Sequence, residues 1–178
     1  MAETAFLAQY QFLARYNRWF NGCLYDACER LSDEERKRDR GAFFGSLHRT
    51  LAHVLDTDQI WLRRFVQQGE SFRSLPPELL AVPEGSSYTS DLHPDWDGLR
   101  LARATLDAAI VAWLAEMQPE FLSSAMRYAN LKGVQRDHPA WMALTHLFNH
   151  QTHHRGQATT LLTQAGIDVG VTDLISRV

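Results

Sequence analysis

The sequence predicts an all-α fold of four long helices, with a long connection between the second and third and a small hairpin before the fourth. Three observations predict it. Apolar residues recur every three or four positions in four separate stretches, the signature of amphipathic helices. Four of the six prolines fall between Gln67 and Pro94, which interrupts that periodicity for longer than a usual helix connection. Helical spacing returns after Pro139 and carries four histidines between His146 and His154.

The first helix is expected over about Thr4–Leu31, where Phe6, Leu13, Tyr16, Phe20, Leu24 and Ala27 recur at spacings of three, four or seven. Ser32 and Glu35 then match the S-x-x-E capping-box pattern and predict a short helical turn. The mixed-sign run Asp33–Arg40 reads as a solvated connection. A second long helix is expected over about Ala42–Gln68, with Phe43, Phe44, Leu47, Leu51, Val54, Leu55, Trp61, Leu62 and Phe65 on one broad face. Asp58 falls in the middle of that face. A buried carboxylate needs a partner, so Asp58 either orients a ligand histidine or pairs with an arginine on another helix.

The Gln67–Pro94 connection is expected to be irregular and long enough to border a site. The third helix follows over about Asp95–Met117, with Leu99, Ala102, Leu106, Ile110, Trp113 and Leu114 in register. Between Gln118 and His138 periodicity is lost. The segment AMRYANLKGVQRDH holds Asn130 and Gly133 between short runs compatible with strand, which places the hairpin there. Pro139 suits the first turn of the last helix, which runs to about Gln164 before Gly166 ends it at C′. Gly156 interrupts that helix at a cost of about 1 kcal/mol relative to Ala. A closely packed second helix or subunit would account for it. The tail, IDVGVTDLISRV, is apolar enough to pack back onto the helices.

The histidines of the last helix can be ranked by direction. At 100° per residue from His146, His150 lies at about 40°, His154 at about 80° and His153 near about −20°. The apolar stripe of Ala143, Leu147, Ala158, Leu161 and Ala165 falls between about 60° and 120°, so it takes in His154, has His150 at its edge about 20° away, and leaves His146 and His153 farther out. Two buried imidazoles at i and i+4 need partners for their nitrogens, and one divalent cation would serve both. Packing without metal remains the alternative, since the HExxH arrangement with its interposed general base is absent.

Composition bounds the function classes. A chain of 178 residues with 45% hydrophobic and 11% aromatic content fits one globular domain. The net charge of −3 gives no basic field for a phosphate backbone, so no nucleic-acid partner is expected. Glu3, Gln9, Gln11 and Arg15 break each apolar run of the N-terminus, which reads as neither a signal peptide nor a membrane span. A cytoplasmic location follows as the expectation. Cys23 and Cys28, about 140° apart on one helix, read as small reduced thiols that do not bridge each other. The chain contains no internal repeat, Gly-rich phosphate loop or G-x-S-x-G elbow.

Four blocks carry a family resemblance: YNRW from Tyr16, GAFFGSLHRTLAHVLDTDQIWLRRF from Gly41, HLFNHQTHHRGQATTLLTQAG from His146, and VGVTDLI from Val169. The two central blocks are the specific ones. Together they resemble the DinB family, a superfamily of DinB/YfiT-like metalloenzymes, over nearly the whole chain. The resemblance implies a four-helix bundle and a divalent metal held by His53, His150 and His154. It thereby selects His53, which the wheel does not, because His53 lies outside the main apolar stripe and His48 is nearer its edge. Ala52 departs from the pattern, in which close relatives commonly carry Asn before the histidine.

Three neutral imidazoles would leave an open position on the cation, as in catalytic rather than structural zinc sites, and zinc or nickel would suit them. The resemblance further implies a thiol-dependent S-transferase or a hydrolase acting on a small molecule, with a low-molecular-weight thiol as a second cofactor. The alternatives are a non-catalytic metal-binding or stress-response protein and a scaffold without metal. Asp58 is the only carboxylate that the wheel places inside, so no general base is evident. Gly156 and the resemblance together suggest a homodimer.

Overall fold

A computed structural model describes residues 2–68, 72–81, 92–130 and 132–177. The first helix, α1 (Ala2–Cys28), buries Leu7, Tyr10, Ala14, Phe20 and Leu24 at helical spacing. Ser32 then caps α2 (Asp33–Lys37): its side chain accepts from the Glu35 amide, and the Glu35 carboxylate accepts from the Ser32 amide at 3.0 Å. The charge run beyond it is not wholly solvated. Arg36 is buried, donates to the carbonyls of Cys28 and Leu31 at the end of α1, and lies 4.5 Å from the Trp96 ring. Carbonyls left without partners at a helix end favour a cation there.

The second long helix, α3 (Leu47–Val66), starts five residues later than the apolar pattern suggested. Gly45 adopts φ 78°, outside the helical range, and Ser46 caps the helix by accepting from the Arg49 amide at 3.2 Å. Phe43 and Phe44 therefore lie before the helix and not on its apolar face. Asp95 caps α4 (Trp96–Glu116) through the Gly98 amide at 2.7 Å. A 3-10 turn over Pro119–Ser123 leads to β1 (Ala125–Ala129) and β2 (Gln135–Pro139), an antiparallel pair with Tyr128 opposite Arg136. Gly133, at φ 75°, lets the hairpin turn. The last helix, α5 (Ala140–Gln164), ends with Gly166 at φ 76°; its amide reaches the Thr163 carbonyl, and the Ile167 amide reaches that of Leu162. That pair of bonds is the Schellman arrangement.

Each of the four long helices packs against two others, in the ring α1–α4–α3–α5. This is a four-helix bundle. Its core includes Leu24, Leu55, Leu62, Phe65, Leu106, Trp113, Leu144 and Leu147, all essentially inaccessible. Residues 72–81 of the long connection close the bundle: Phe72 meets Trp113 and Phe121 edge-on, and Leu75 and Leu80 are buried. Residues 69–71 and 82–91 of that connection lie outside the described residues.

Two further expectations change. Among the described residues, and apart from the backbone of its own helix, nothing lies within 4 Å of a side-chain carbon built at Gly156, so no other described helix packs closely there. The tail docks only in part. Ile167 and Val169 rest on the core and Tyr16 donates to the Thr172 carbonyl, while Val171 and Ile175 remain exposed.

Candidate metal centre

Helix α3 carries two rows of side chains. Leu47, Leu51, Leu55, Leu62 and Phe65 face the core, while Arg49, His53, Thr57, Trp61 and Arg64 follow one another at helical spacing along the adjoining face. Helix α5 aligns His146, His150 and His154 in a single row. Where the two helices pack, His53 Nε2 comes within 3.2 Å of His150 Nε2, and one nitrogen from each of His53, His150 and His154 lies within 4.8 Å of the others. Two nitrogens bound at about 2.1 Å to one tetrahedral ion stand roughly 3.4 Å apart, so the first pair already has ligand spacing.

The surroundings keep these rings neutral and aimed. Burial, with His154 adding to it, holds His53 at about 4, and burial with the neighbouring imidazoles holds His150 at about 3. Burial also lowers His154. Neutral imidazole is the form that coordinates a cation. Gln157 Oε1 accepts from His154 Nδ1 at 2.7 Å, which leaves the lone pair on Nε2 and fixes the ring. Phe44 stacks on His53 with ring centres 4.0 Å apart and an interplanar angle of 26°.

The remaining histidines are placed elsewhere. His146 stands beside the group, 4.8 Å from the Trp61 ring and 5.9 Å from that of His150. His153 is exposed. His48 is buried with its Nε2 against the His93 carbonyl, a core histidine away from the three.

Asp58 takes the arginine partner. Its Oδ2 accepts from Arg103 Nη1 at 2.7 Å and from Gln151 Nε2 at 2.8 Å, and none of its hydrogen bonds goes to a histidine. Arg103 also reaches Asp107 at 2.7 Å, Asp107 accepts from Asn21, and Gln151 accepts from Asn17. A buried polar network thus joins α1, α3, α4 and α5. Burial pushes the Asp58 carboxyl up to about 6 against the pull of Arg103.

The three histidines open onto a cleft of about 850 Å³. Its other walls are Phe43, Phe44 and Gly45, the α3 row from Arg49 through Asp56 and Trp61 to Arg64, and Tyr128, Asn130 and Arg136 of the hairpin. No described residue of the Gln67–Pro94 connection lines it. The sequence reading missed the roles of Phe44, Asp56, Arg64 and the hairpin. A signal existed for the α3 members, since their spacing repeats that of the core row one face over.

A family model described as the DinB family matches residues 1–177. The chain belongs to the DinB family. It is 26% identical over 162 residues to Protein DinB of Bacillus subtilis (strain 168), covering 90% of this chain and 88% of that protein. The DinB fold recurs in the crystal structure of a DinB-like protein from Bacillus cereus ATCC 10987, at TM-score 0.60 and 23% identity over 93% of this chain and 94% of that one. The bundle described above is therefore a DinB bundle, and its cleft with three histidines is a group able to hold a metal ion.

Proposed function

We propose that this chain is one DinB domain that binds a first-row divalent cation, zinc or nickel, through His53, His150 and His154, and uses it in a thiol-dependent S-transfer or a hydrolysis. The single observation that carries the reading is the convergence of three neutral imidazoles at the wall of a cleft large enough for a small molecule. The donor set fits the ion: borderline-soft nitrogens suit zinc and nickel, and three ligands leave a position open. When bound, such a cation supplies Lewis acidity that makes a water or thiol reaching it more acidic.

The chain's own residues would do the rest. Gln157 holds the His154 tautomer. Phe44, Trp61 and Tyr128 give the substrate an apolar wall. Asp56, the one carboxylate among the described lining residues, is braced by His93 Nε2 at 3.0 Å and is the candidate proton acceptor. A homodimer is part of the same proposal, supported by the open face at Gly156. A cytoplasmic location rests on the free thiols Cys23 and Cys28. No helix among the described residues is long and apolar enough to cross a membrane.

The test is elemental analysis of tag-free protein, followed by cobalt substitution. About one metal per chain is expected, and azide or a small thiol should shift the visible cobalt spectrum because a new ligand changes coordination. Substoichiometric metal after reconstitution would overturn the metal reading. A cobalt spectrum indifferent to every small ligand would overturn the enzyme reading in favour of non-catalytic metal binding.

A further inference from the structure

Phe43 is 87% exposed, more than any other large apolar side chain among the described residues, and it stands at the wall of the cleft. A single apolar residue on a convex surface needs no explanation, but this ring is part of a row. The backbone fixes it there. Gly41 and Gly45 adopt φ 68° and 78°, the Gly45 amide reaches the Ala42 carbonyl at 2.7 Å, and the Arg40 amide reaches the Gly45 carbonyl at 2.8 Å, so a tight turn presents Phe43 and Phe44 side by side. Their rings meet edge to face, with centres 4.9 Å apart and an interplanar angle of 84°. Phe44 continues the row by its stack on His53 and lies 5.6 Å from the His154 ring. Aromatic surface thus runs unbroken from Phe43 to two of the three histidines.

We propose that the corner formed by Phe43 and Phe44 seats an aromatic ring of the substrate, so that the cleft selects small molecules whose reacting atom is joined to an aryl group by a short link. Two rings at right angles offer a third ring an offset stack on one and an edge contact on the other, a geometry that an alkyl group of the same size cannot use. The aromatic pair farther along the cleft is already engaged: the Arg64 guanidinium carbon lies 4.6 Å from the Trp61 ring centre and 4.5 Å from that of Tyr128. Phe43 is the ring left to receive a ligand. The link must be short because Phe44 sits directly on His53, which sets a ring held in the corner beside the histidine group. The inference rests on the proposed function for what reacts at the histidines, but the seating of the ring needs no metal.

The experiment is an NMR titration of metal-free protein with benzamide, cyclohexanecarboxamide and acetamide, observed at the ring signals of Phe43, Phe44 and His53 and repeated with zinc-loaded protein. Benzamide should bind saturably, shift those signals, and bind about tenfold or more tightly than acetamide, with cyclohexanecarboxamide in between. Phe43→Ala should bring benzamide down to the level of acetamide. Phe43→Leu keeps apolar area without a ring, so it should leave benzamide and cyclohexanecarboxamide equal. Leu101→Ala, at a side chain 69% exposed on α4 and absent from the cleft wall, should change nothing. No saturable binding, equal affinity for benzamide and cyclohexanecarboxamide in the wild type, or benzamide affinity unaltered in Phe43→Ala would each overturn the aryl seat. Light scattering adds one more arm: a mass halved by Phe43→Ala would make Phe43 a contact between two copies of the chain and overturn the seat as well. Failure to take up zinc with benzamide binding intact would instead overturn only the metal reading.

Discussion

Gln151 Nε2 on α5 donates to the Asp58 carboxylate on α3 at 2.8 Å, and each residue lies within five positions of a proposed ligand histidine on its own helix. The pair belongs to the buried network through which Arg103 and Asn17 also reach these two side chains. Its effect is to fix the register of α3 against α5, and hence the distance between His53 and His150. Buried polar groups that pair with one another favour one packing, and removal of one member leaves the others desolvated and short of a partner.

Asp58→Ala should therefore destabilise the protein by about 3–5 kcal/mol, because it leaves the Arg103 charge buried against Asp107 alone. Asp58→Asn should cost less, since an amide oxygen still accepts from Gln151 or Arg103. Urea denaturation of both variants measures this. A loss below about 1 kcal/mol for Asp58→Ala would show that the network contributes little.

Metal content should separate the five histidines of the cleft region. His53→Ala, His150→Ala and His154→Ala should each bind metal far more weakly, whereas His146→Ala and His153→Ala should retain about one ion per chain. Competition against a chromophoric chelator gives the affinities. Folding should survive at His53, which is only half-buried beside a core row carried by other residues. Equal losses at all five positions would dissolve the three-histidine group.

Acid should destabilise the metal-free protein in a defined window. His53 and His150 are held at about 4 and about 3 in the folded chain, from an ordinary 6.5, so between those values the unfolded chain binds more protons. Stability contributed by these neutral rings is thus complete above pH ~6.5 and is lost as pH falls through the folded values. Thermal melts from pH 7 to pH 4 should show the decline, and His150→Phe, which cannot titrate, should flatten it. A melting temperature with the same pH dependence in the variant would remove His150 as a cause.

Light scattering at low micromolar concentration should report a mass near twice the 20.4 kDa chain. Gly156→Ala should then weaken the dimer, because a methyl group would enter the face where the second copy approaches. A strict monomer in which Gly156→Ala is only stabilising, by about 1 kcal/mol as helix propensity alone dictates, would refute the pairing.

The sequence by itself determined the helices, the hairpin and the inward direction of His150 and His154, because these depend on periodicity and local turn chemistry within one segment. The Ser32–Glu35 capping box and the Gly166 terminus were legible for the same reason. The start of α3 was not, since the apolar Phe43 and Phe44 continue the pattern while Gly45 and Ser46 break the backbone that would carry it. His53 came from resemblance and not from its wheel position, for a ligand at a cleft sits beside the core face and leaves no mark in the core periodicity. Only the tertiary structure decided that Asp58 pairs with Arg103, that Phe44 stacks on His53, and that Arg64 lies between Trp61 and Tyr128. Those contacts join residues far apart in the chain, and their geometry is set by how α3 meets α4, α5 and the hairpin, which no single segment encodes.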